Sequence, residues 1–91
     1  MITVKILSCR SAQRYAVRQR VIAAKMDLQA DYPGVELSII ELKDWAHIEP
    51  YTSILAAPSL VVDDRMVCEA RFPSRGEVLV WLRSALLNNQ N

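Results

Sequence analysis

Cys9 lies where an apolar, strand-like stretch meets a basic, helix-like one, in the run ILSCRSAQRYAVRQR. A thiol at the N-terminus of a helix faces unpaired backbone N–H groups and the positive end of the helix dipole. Arg10 adds a positive charge, and no carboxylate lies nearby in the sequence. These features favour the thiolate, the nucleophilic form of cysteine, so we expect a reactive thiol. The alternative is that Cys9 packs as a small apolar residue.

Cys68 is the second of the two cysteines, and it could serve as a displaced partner for Cys9. If Asp63 and Asp64 form a two-residue hairpin turn, Ser59 pairs with Cys68. Cys9 would then lie about two strand spacings away, roughly 10 Å, whereas a disulfide needs Cα atoms within about 7 Å. We therefore expect Cys68 to be a packed strand residue, with the role of second thiol as the alternative.

A row of basic residues follows Cys9 on the helix-like stretch. The row consists of Arg10, Arg14, Arg18 and Lys25. Side chains at this spacing share one helix face. They could bind the carboxylates of glutathione, a phosphate or an acidic partner, or they could form the solvated face of an amphipathic helix. Tyr15 could shape a groove beside the row, although a core or rim position is more usual for tyrosine.

Composition narrows the classes of function. The 91 residues suffice for one domain, and a net charge of +1 gives no reason to expect binding to nucleic acid or a membrane. The cysteines are too few and too far apart for a zinc site or a disulfide scaffold. His47 has no cysteine near it in sequence, so we expect it to be solvated. The apolar run over residues 4–7 is too short for a signal peptide, so we expect a cytoplasmic protein.

The hydrophobic pattern of the first half predicts a strand, a helix and a second strand. Residues 2–7 alternate, residues 11–31 contain no glycine or proline, and Pro33-Gly34 predicts a turn before a strand over residues 35–42. The buried helical stripe is predicted to be Val17, Val21, Ala24 and Leu28, widened by Ile22 and Met26. The buried face of the second strand is predicted to be Val35, Leu37 and Ile39.

The second half predicts a short helix, a hairpin and a final helix. Asp44 is a candidate N-cap for a helix over residues 45–54, although Pro50 lies inside it. Residues 59–62 and 66–71 are predicted strands on either side of the Asp63-Asp64 turn. Ser74 and Glu77 form a capping box before the last helix. Its apolar face is predicted to be Val78, Leu79, Trp81, Leu82, Ala85 and Leu86. We expect Trp45 and Trp81 to pack on the sheet, and residues 88–91 to form a disordered tail.

The predicted order is therefore β-α-β-α-β-β-α, within a single α/β domain over residues 1–87. Two strands joined through a helix are expected to be parallel, and the closing hairpin is antiparallel. A four-stranded mixed sheet with helices on both faces follows.

This order and three stretches, VKILSC, SILAAPSLVVDDRMV and ARFPSRGEVLVWL, resemble the thioredoxin/glutaredoxin fold of small single-domain thioredoxin-like proteins. The likeness covers nearly the whole chain. It implies that Cys9 takes the place of the first cysteine of a C-x-x-C motif. Pro58 takes the place of a cis-proline that lies against the active sulfur. Ala12 stands where the family has its second cysteine, and Ser53 stands where a glycine is common.

The resemblance implies a monothiol thiol–disulfide redox protein without a bound cofactor. Cys9 would attack a disulfide or accept glutathione as a co-substrate, and an external thiol would complete the cycle. Pro58 would shape the docking edge for protein thiols or a protein partner. The residues expected to contact that partner are Arg10, Ser11, Arg14, Ala57 and Ser59. We expect a monomer or a weak homodimer.

Two alternatives remain open. The chain could be a non-catalytic thioredoxin-like binding module, because ILAAPSL and SRGEVLVWL are also similar to KaiB-like domains, which bind partners without thiol chemistry. An iron–sulfur site bridged by two Cys9 thiolates in a dimer is less favoured, because the Gly-Phe-Ser run that follows the cysteine in such monothiol glutaredoxins is missing.

Overall fold

A four-stranded mixed sheet lies at the centre of the structure, a computed structural model that describes residues 1–89. The elements are, in chain order, β1 (Ile2–Leu7), α1 (Ser11–Asp31), β2 (Leu37–Leu42), α2 (Trp45–Ile48), β3 (Ser59–Val62), β4 (Arg65–Cys68) and α3 (Arg75–Asn89). The strand order is β2-β1-β3-β4. β1 is parallel to β2 and antiparallel to β3, and β3 is antiparallel to β4. The predicted α/β class and mixed sheet are confirmed.

Alternation along β1 divides the core between the two faces of the sheet. Ile2, Val4 and Ile6 pack with the apolar residues of α1 and α3 on one face. Leu7 packs with Ile48 of α2 and Val61 of β3 on the other. Helices therefore cover both faces, as predicted, and β1 is paired with a strand on each side.

The buried stripes of the two long helices match the predicted ones in part. Residues Val17, Val21, Ala24 and Leu28 of α1 are fully buried, as are Val78 and Leu82 of α3. Ile22 and Met26 are 38% and 65% exposed, so the prediction that they widen the α1 stripe is wrong. They lie on the outer side of α1, beyond the reach of the sheet.

Several element ends differ from the predicted ones. α2 ends at Ile48, and Pro50, two residues later, has no N–H with which to continue the helical hydrogen bonds. The side chain of Asp44 makes no capping hydrogen bond. Trp45 is 39% exposed on this short helix, so the prediction that it packs on the sheet is wrong, whereas Trp81 packs partly buried against the core.

The remaining differences lie at β2, β4 and the C-terminus. β2 begins at Leu37 and β4 covers Arg65–Cys68. Ala70 has a φ of 57°, in the left-handed region, which ends the extended conformation before Arg71. The expected tail is helical at Asn88 and Asn89, and residues 90 and 91 lie outside the described residues.

The hairpin turn is the predicted one, but the register beyond it is shifted. Asp63 and Asp64 have φ values of 47° and 64°, as a two-residue turn with both central residues left-handed requires. Val62 pairs with Arg65, but an irregularity between Leu60 and Val61 makes Leu60 the partner of Cys68. The prediction that Ser59 pairs with Cys68 assumes a regular antiparallel ladder beyond the turn. The bulge adds one residue to β4, so Cys68 lies opposite Leu60 and the prediction is wrong.

The capping box of α3 is confirmed and involves a third residue. The Ser74 N–H donates to Glu77 Oε1 and the Glu77 N–H donates to Ser74 Oγ, each at 3.1 Å. Arg71 donates to both carboxylate oxygens of Glu77, at 3.0 and 2.7 Å. Hydrogen bonds from Arg71 and from the Ser74 N–H lower the pKa of Glu77 to about 2.

We predict that Glu77→Gln destabilises the protein in a pH-dependent way. A carboxyl group with a lowered pKa in the folded state stabilises that state fully above its ordinary pKa, near 4.5, and less as the pH falls towards 2. Urea unfolding should show the wild type to be more stable than Glu77→Gln at pH 7, with the gap closing between pH 4.5 and 2. Glu36→Gln, at an exposed site, is the control. A gap that is constant with pH would contradict the assignment.

Candidate functional site

The turn between β1 and α1 leaves Cys9 exposed. Arg10 occupies the N-cap position of α1, and its side chain makes no capping hydrogen bond. The first turn of α1 contains no acidic residue. The positive end of this helix is therefore neither capped by a side chain nor neutralised by a carboxylate, and the thiol precedes it directly in the chain.

Ser8 fixes the shape of this turn, and the sequence analysis did not identify it. Its buried hydroxyl accepts a hydrogen bond from the Arg10 N–H at 3.0 Å and donates to Gln13 Oε1 at 2.6 Å. Its backbone N–H donates to Leu42 O at 3.1 Å. A serine whose hydroxyl binds the N–H two residues later forms an ST turn. A serine at the end of an apolar strand, just before a helix, was the available signal.

The segment before β3 lies next to this turn. Leu7, the last residue of β1, pairs with Ser59, the first residue of β3, so Pro58 and Cys9 follow on at the same end of the sheet. Gln13 Nε2 donates to Ala56 O at 3.4 Å, which ties α1 to the same segment. The sequence prediction that Cys9 and Pro58 meet at one end of the sheet agrees with this register.

The peptide bond before Pro58 is trans, because residues 1–89 contain no cis peptide bond. The cis-proline implied by the resemblance is therefore wrong for this structure. Pro58 is buried, and its carbonyl accepts a hydrogen bond from the Arg71 N–H at 3.0 Å. Ser59 Oγ accepts one from the Ala70 N–H at 2.9 Å. The Ser59 hydroxyl thus holds the fold and is not presented to a partner.

Some residues of the basic row form ion pairs with the sheet, and others do not. Arg14 Nη1 donates to Ser8 O at 2.9 Å, and both Arg14 and Arg18 form ion pairs with Glu41 of β2. Arg18 also lies over the ring of Tyr15, which is 57% exposed at the rim. Arg14 and Arg18 therefore join α1 to the sheet instead of forming a solvated face. Arg10 is exposed and makes no side-chain bond to any residue from 1 to 89, so it keeps its charge available.

Cys68 belongs to the core and not to the site. It packs among the buried residues on the α1 and α3 face of the sheet, and its S–H donates to Arg71 O at 3.3 Å. Burial raises the pKa of this thiol, against a smaller opposing effect of Arg71. Both cysteines are free. The expectation of a packed strand cysteine is confirmed.

The other candidate residues can be placed briefly. Ser11 and Ala12 are exposed in the first turn of α1. His47 is exposed as expected, with Nδ1 3.8 Å from a carboxylate oxygen of Asp44. Within the described part of the chain, no group of three or more His, Cys, Asp or Glu could hold a metal ion. None of the helices described is long and apolar enough to cross a membrane.

Comparison of the chain with protein-family models, with curated proteins and with solved structures finds no match. The arrangement of Cys9 and the Pro58 segment suits one kind of chemistry, nucleophilic attack by an exposed thiol.

We predict that alkylation of the native protein is confined to Cys9. Iodoacetamide followed by peptide mass spectrometry should show Cys9 fully modified while Cys68 remains unmodified, because the latter is buried and its pKa is raised. Cys68 should react once the chain is unfolded in urea, which serves as the positive control. Equal modification of both cysteines in the native state would contradict the described core.

Proposed function

We propose that the chain is a thioredoxin-like protein that performs thiol–disulfide exchange with a single thiol, Cys9. The observation that carries the proposal is the exposed thiol directly before the uncapped, carboxylate-free N-terminus of α1, beside the Pro58 segment. Each of these features favours a thiolate that a partner's sulfur can reach.

The fold supports a thioredoxin-like assignment through its topology. The element order β-α-β-α-β-β-α, on which the resemblance rests, is present, with one parallel pair and a closing antiparallel hairpin in the strand order β2-β1-β3-β4. Two long helices lie on one face and the short α2 on the other. Cys9 follows the end of the central strand, and Pro58 precedes the strand next to it.

The Cys9 thiolate would be stabilised by the N-terminus of α1 and by Arg10. The N–H groups of the first turn of α1 have no intrahelical acceptor, and the exposed Arg10 adds a positive charge. Both interactions favour negative charge at the sulfur. Since the site is exposed, added salt should weaken the contribution of Arg10 most.

The reaction begins when the Cys9 thiolate attacks one sulfur of a substrate disulfide. A mixed disulfide forms between Cys9 and that sulfur, and the other substrate sulfur leaves as a thiolate that takes up a proton. A second, external thiolate then attacks the substrate sulfur of the mixed disulfide, and Cys9 leaves as a thiolate. The net change is exchange of one thiol for another in the disulfide, with no net oxidation or reduction.

The second step needs an external thiol because the chain provides none within reach. Ala12 has no sulfur at the position that follows Cys9 by three residues. Cys68 is buried on one face of the sheet, with its S–H bound to Arg71 O. Glutathione is the co-substrate we propose, and Arg10, the cation of the row that directly follows Cys9, is available to bind one of its carboxylates.

The substrate would be a protein disulfide docked along the Pro58 segment. Ile54 and Leu55, just before this segment, are 45% and 41% exposed. Exposed apolar side chains next to a reactive thiol suit an apolar stretch of a partner protein. The same surface favours the second candidate function, a binding module without chemistry, in which Cys9 would be dispensable.

We predict that Cys9→Ser abolishes exchange while leaving the fold intact. The assay is formation of glutathione disulfide and free peptide thiol from a glutathionylated peptide and free glutathione, with Cys68→Ala as the matched control. Cys9→Ser should reduce the rate to the uncatalysed background because the nucleophile is lost, and Cys68→Ala should retain the rate. Thermal unfolding of Cys9→Ser should match that of the wild type, since this side chain is exposed.

Two results would overturn the redox proposal. The first is a wild type that does not exceed the background rate, and the second is a Cys9→Ser variant that retains the wild-type rate. In either case, partner binding that persists in Cys9→Ser but is lost in Leu55→Ser would favour the binding module.

A further inference from the structure

A concave site lies at the opposite end of the sheet from Cys9. A cavity of about 270 Å³ opens between the β3–β4 hairpin and the C-terminal half of α3. Val62, one of its lining residues, pairs with Val4 near the start of β1, whereas Cys9 follows the end of that strand. The extended chain from Val4 to Leu7 alone spans roughly 10 Å, and the turn that holds Cys9 lies beyond it. The cavity is therefore independent of the proposed thiol site.

The apolar part of the lining suits a flat ring. Val62, Val67 and Ala85 line the cavity together with the indole of Trp81, which is partly buried against the core. Aromatic rings stack favourably on an indole in offset or edge-to-face arrangements. The volume is at the small end of ligand pockets and matches a molecule of one or two rings.

The polar part of the lining consists of hydrogen-bond donors on α3 and on β4. Ser84 and Asn88 follow Trp81 by three and seven residues, so the three side chains lie along one face of α3. Arg65 of β4 also lines the cavity, is exposed, and makes no hydrogen bond or ion pair with the residues that the structure describes. A free guanidinium binds a carboxylate with two parallel hydrogen bonds.

Asp63 is the acidic residue of the lining and restricts where an anion can lie. Its Oδ1 accepts a hydrogen bond from the Thr3 N–H at 2.8 Å, which holds its carboxylate at the hairpin turn. A ligand carboxylate would therefore lie towards Arg65, Ser84 and Asn88, away from Asp63.

We propose that this cavity binds a small planar aromatic carboxylate, with its ring against Trp81 and its carboxylate on Arg65. The juxtaposition of an indole, an apolar floor and a guanidinium that no described residue pairs carries the proposal. The site assigns the chain a ligand class that the thiol chemistry neither requires nor implies, so the two proposals stand or fall separately.

The test is a titration of the full chain with 1-naphthoate, followed by the indole N–H signals in ¹H–¹⁵N spectra. The Trp81 signal, assigned with Trp81→Phe, should shift and saturate with a Kd of about 1 mM or tighter, as expected for a ligand of this size. The Trp45 indole, which does not line the cavity, should not shift. Cys9→Ser should bind naphthoate as the wild type does.

Comparing Arg65→Gln with Arg83→Gln distinguishes a specific contact between naphthoate and Arg65 from non-specific attraction of the anion to positive charge. Arg65→Gln should weaken naphthoate binding about tenfold through loss of the charge-assisted hydrogen bonds. Arg83→Gln, the same change on α3 outside the lining, should change the affinity less than twofold. 1-Naphthalenemethanol, the neutral analogue, should bind the wild type about tenfold more weakly than naphthoate. A Trp81 signal that does not saturate, or equal affinities of Arg65→Gln and Arg83→Gln, would overturn the proposal.

Discussion

The hydrogen bonds of Ser8 determine how the thiol is presented. One buried serine joins the end of β1 to β2 through its N–H, and joins the start of α1 to the strand through its hydroxyl and its carbonyl. Without the ST turn, the chain between β1 and α1 would have no side-chain acceptor for the Arg10 N–H. The hydroxyl satisfies the N–H of the N-cap residue Arg10 and leaves the N–H groups of the first turn of α1 without a side-chain cap. Cys9 is consequently exposed and the end of the helix is left open.

A second constraint acts on the opposite wall of the site. Backbone bonds from Ala70 and Arg71 hold the Pro58–Ser59 segment, and the Arg71 guanidinium is bound in turn by Glu77 of the capping box. Residues 70 and 71 thereby connect the N-terminus of α3 to the Pro58–Ser59 segment. Because Ser59 and Pro58 use their polar atoms in this way, a partner at this edge would meet exposed apolar side chains and the backbone of residues 54–57.

The sequence predicted what depends on local pattern and missed what depends on contacts distant in the chain. Periodicity located the long helices and β1, and the capping box and the hairpin turn depend on residues within four positions of one another. The pairing of Cys68 was predicted one residue away from its true partner, because a bulge depends on how two strands fit and not on either strand alone. The sequence predicts a solvated or ligand-binding arginine row, because nothing in α1 indicates that Arg14 and Arg18 pair with Glu41 of β2. Ser8 was missed for a similar reason: its importance comes from partners on β2 and α1, which the pattern does not place side by side.

The most direct test of the account is the rate at which Cys9 is alkylated. In a Cys68→Ala background at pH 6.5 and low salt, the rate for the folded protein is compared with the rate for the same chain in urea. Alkylation proceeds through the thiolate, so an open helix end and an exposed Arg10 next to the thiol in the chain should make the folded protein react faster than the unfolded chain. The acceleration should shrink when salt is added. A folded rate equal to or below the unfolded rate would contradict the claim that this turn activates Cys9.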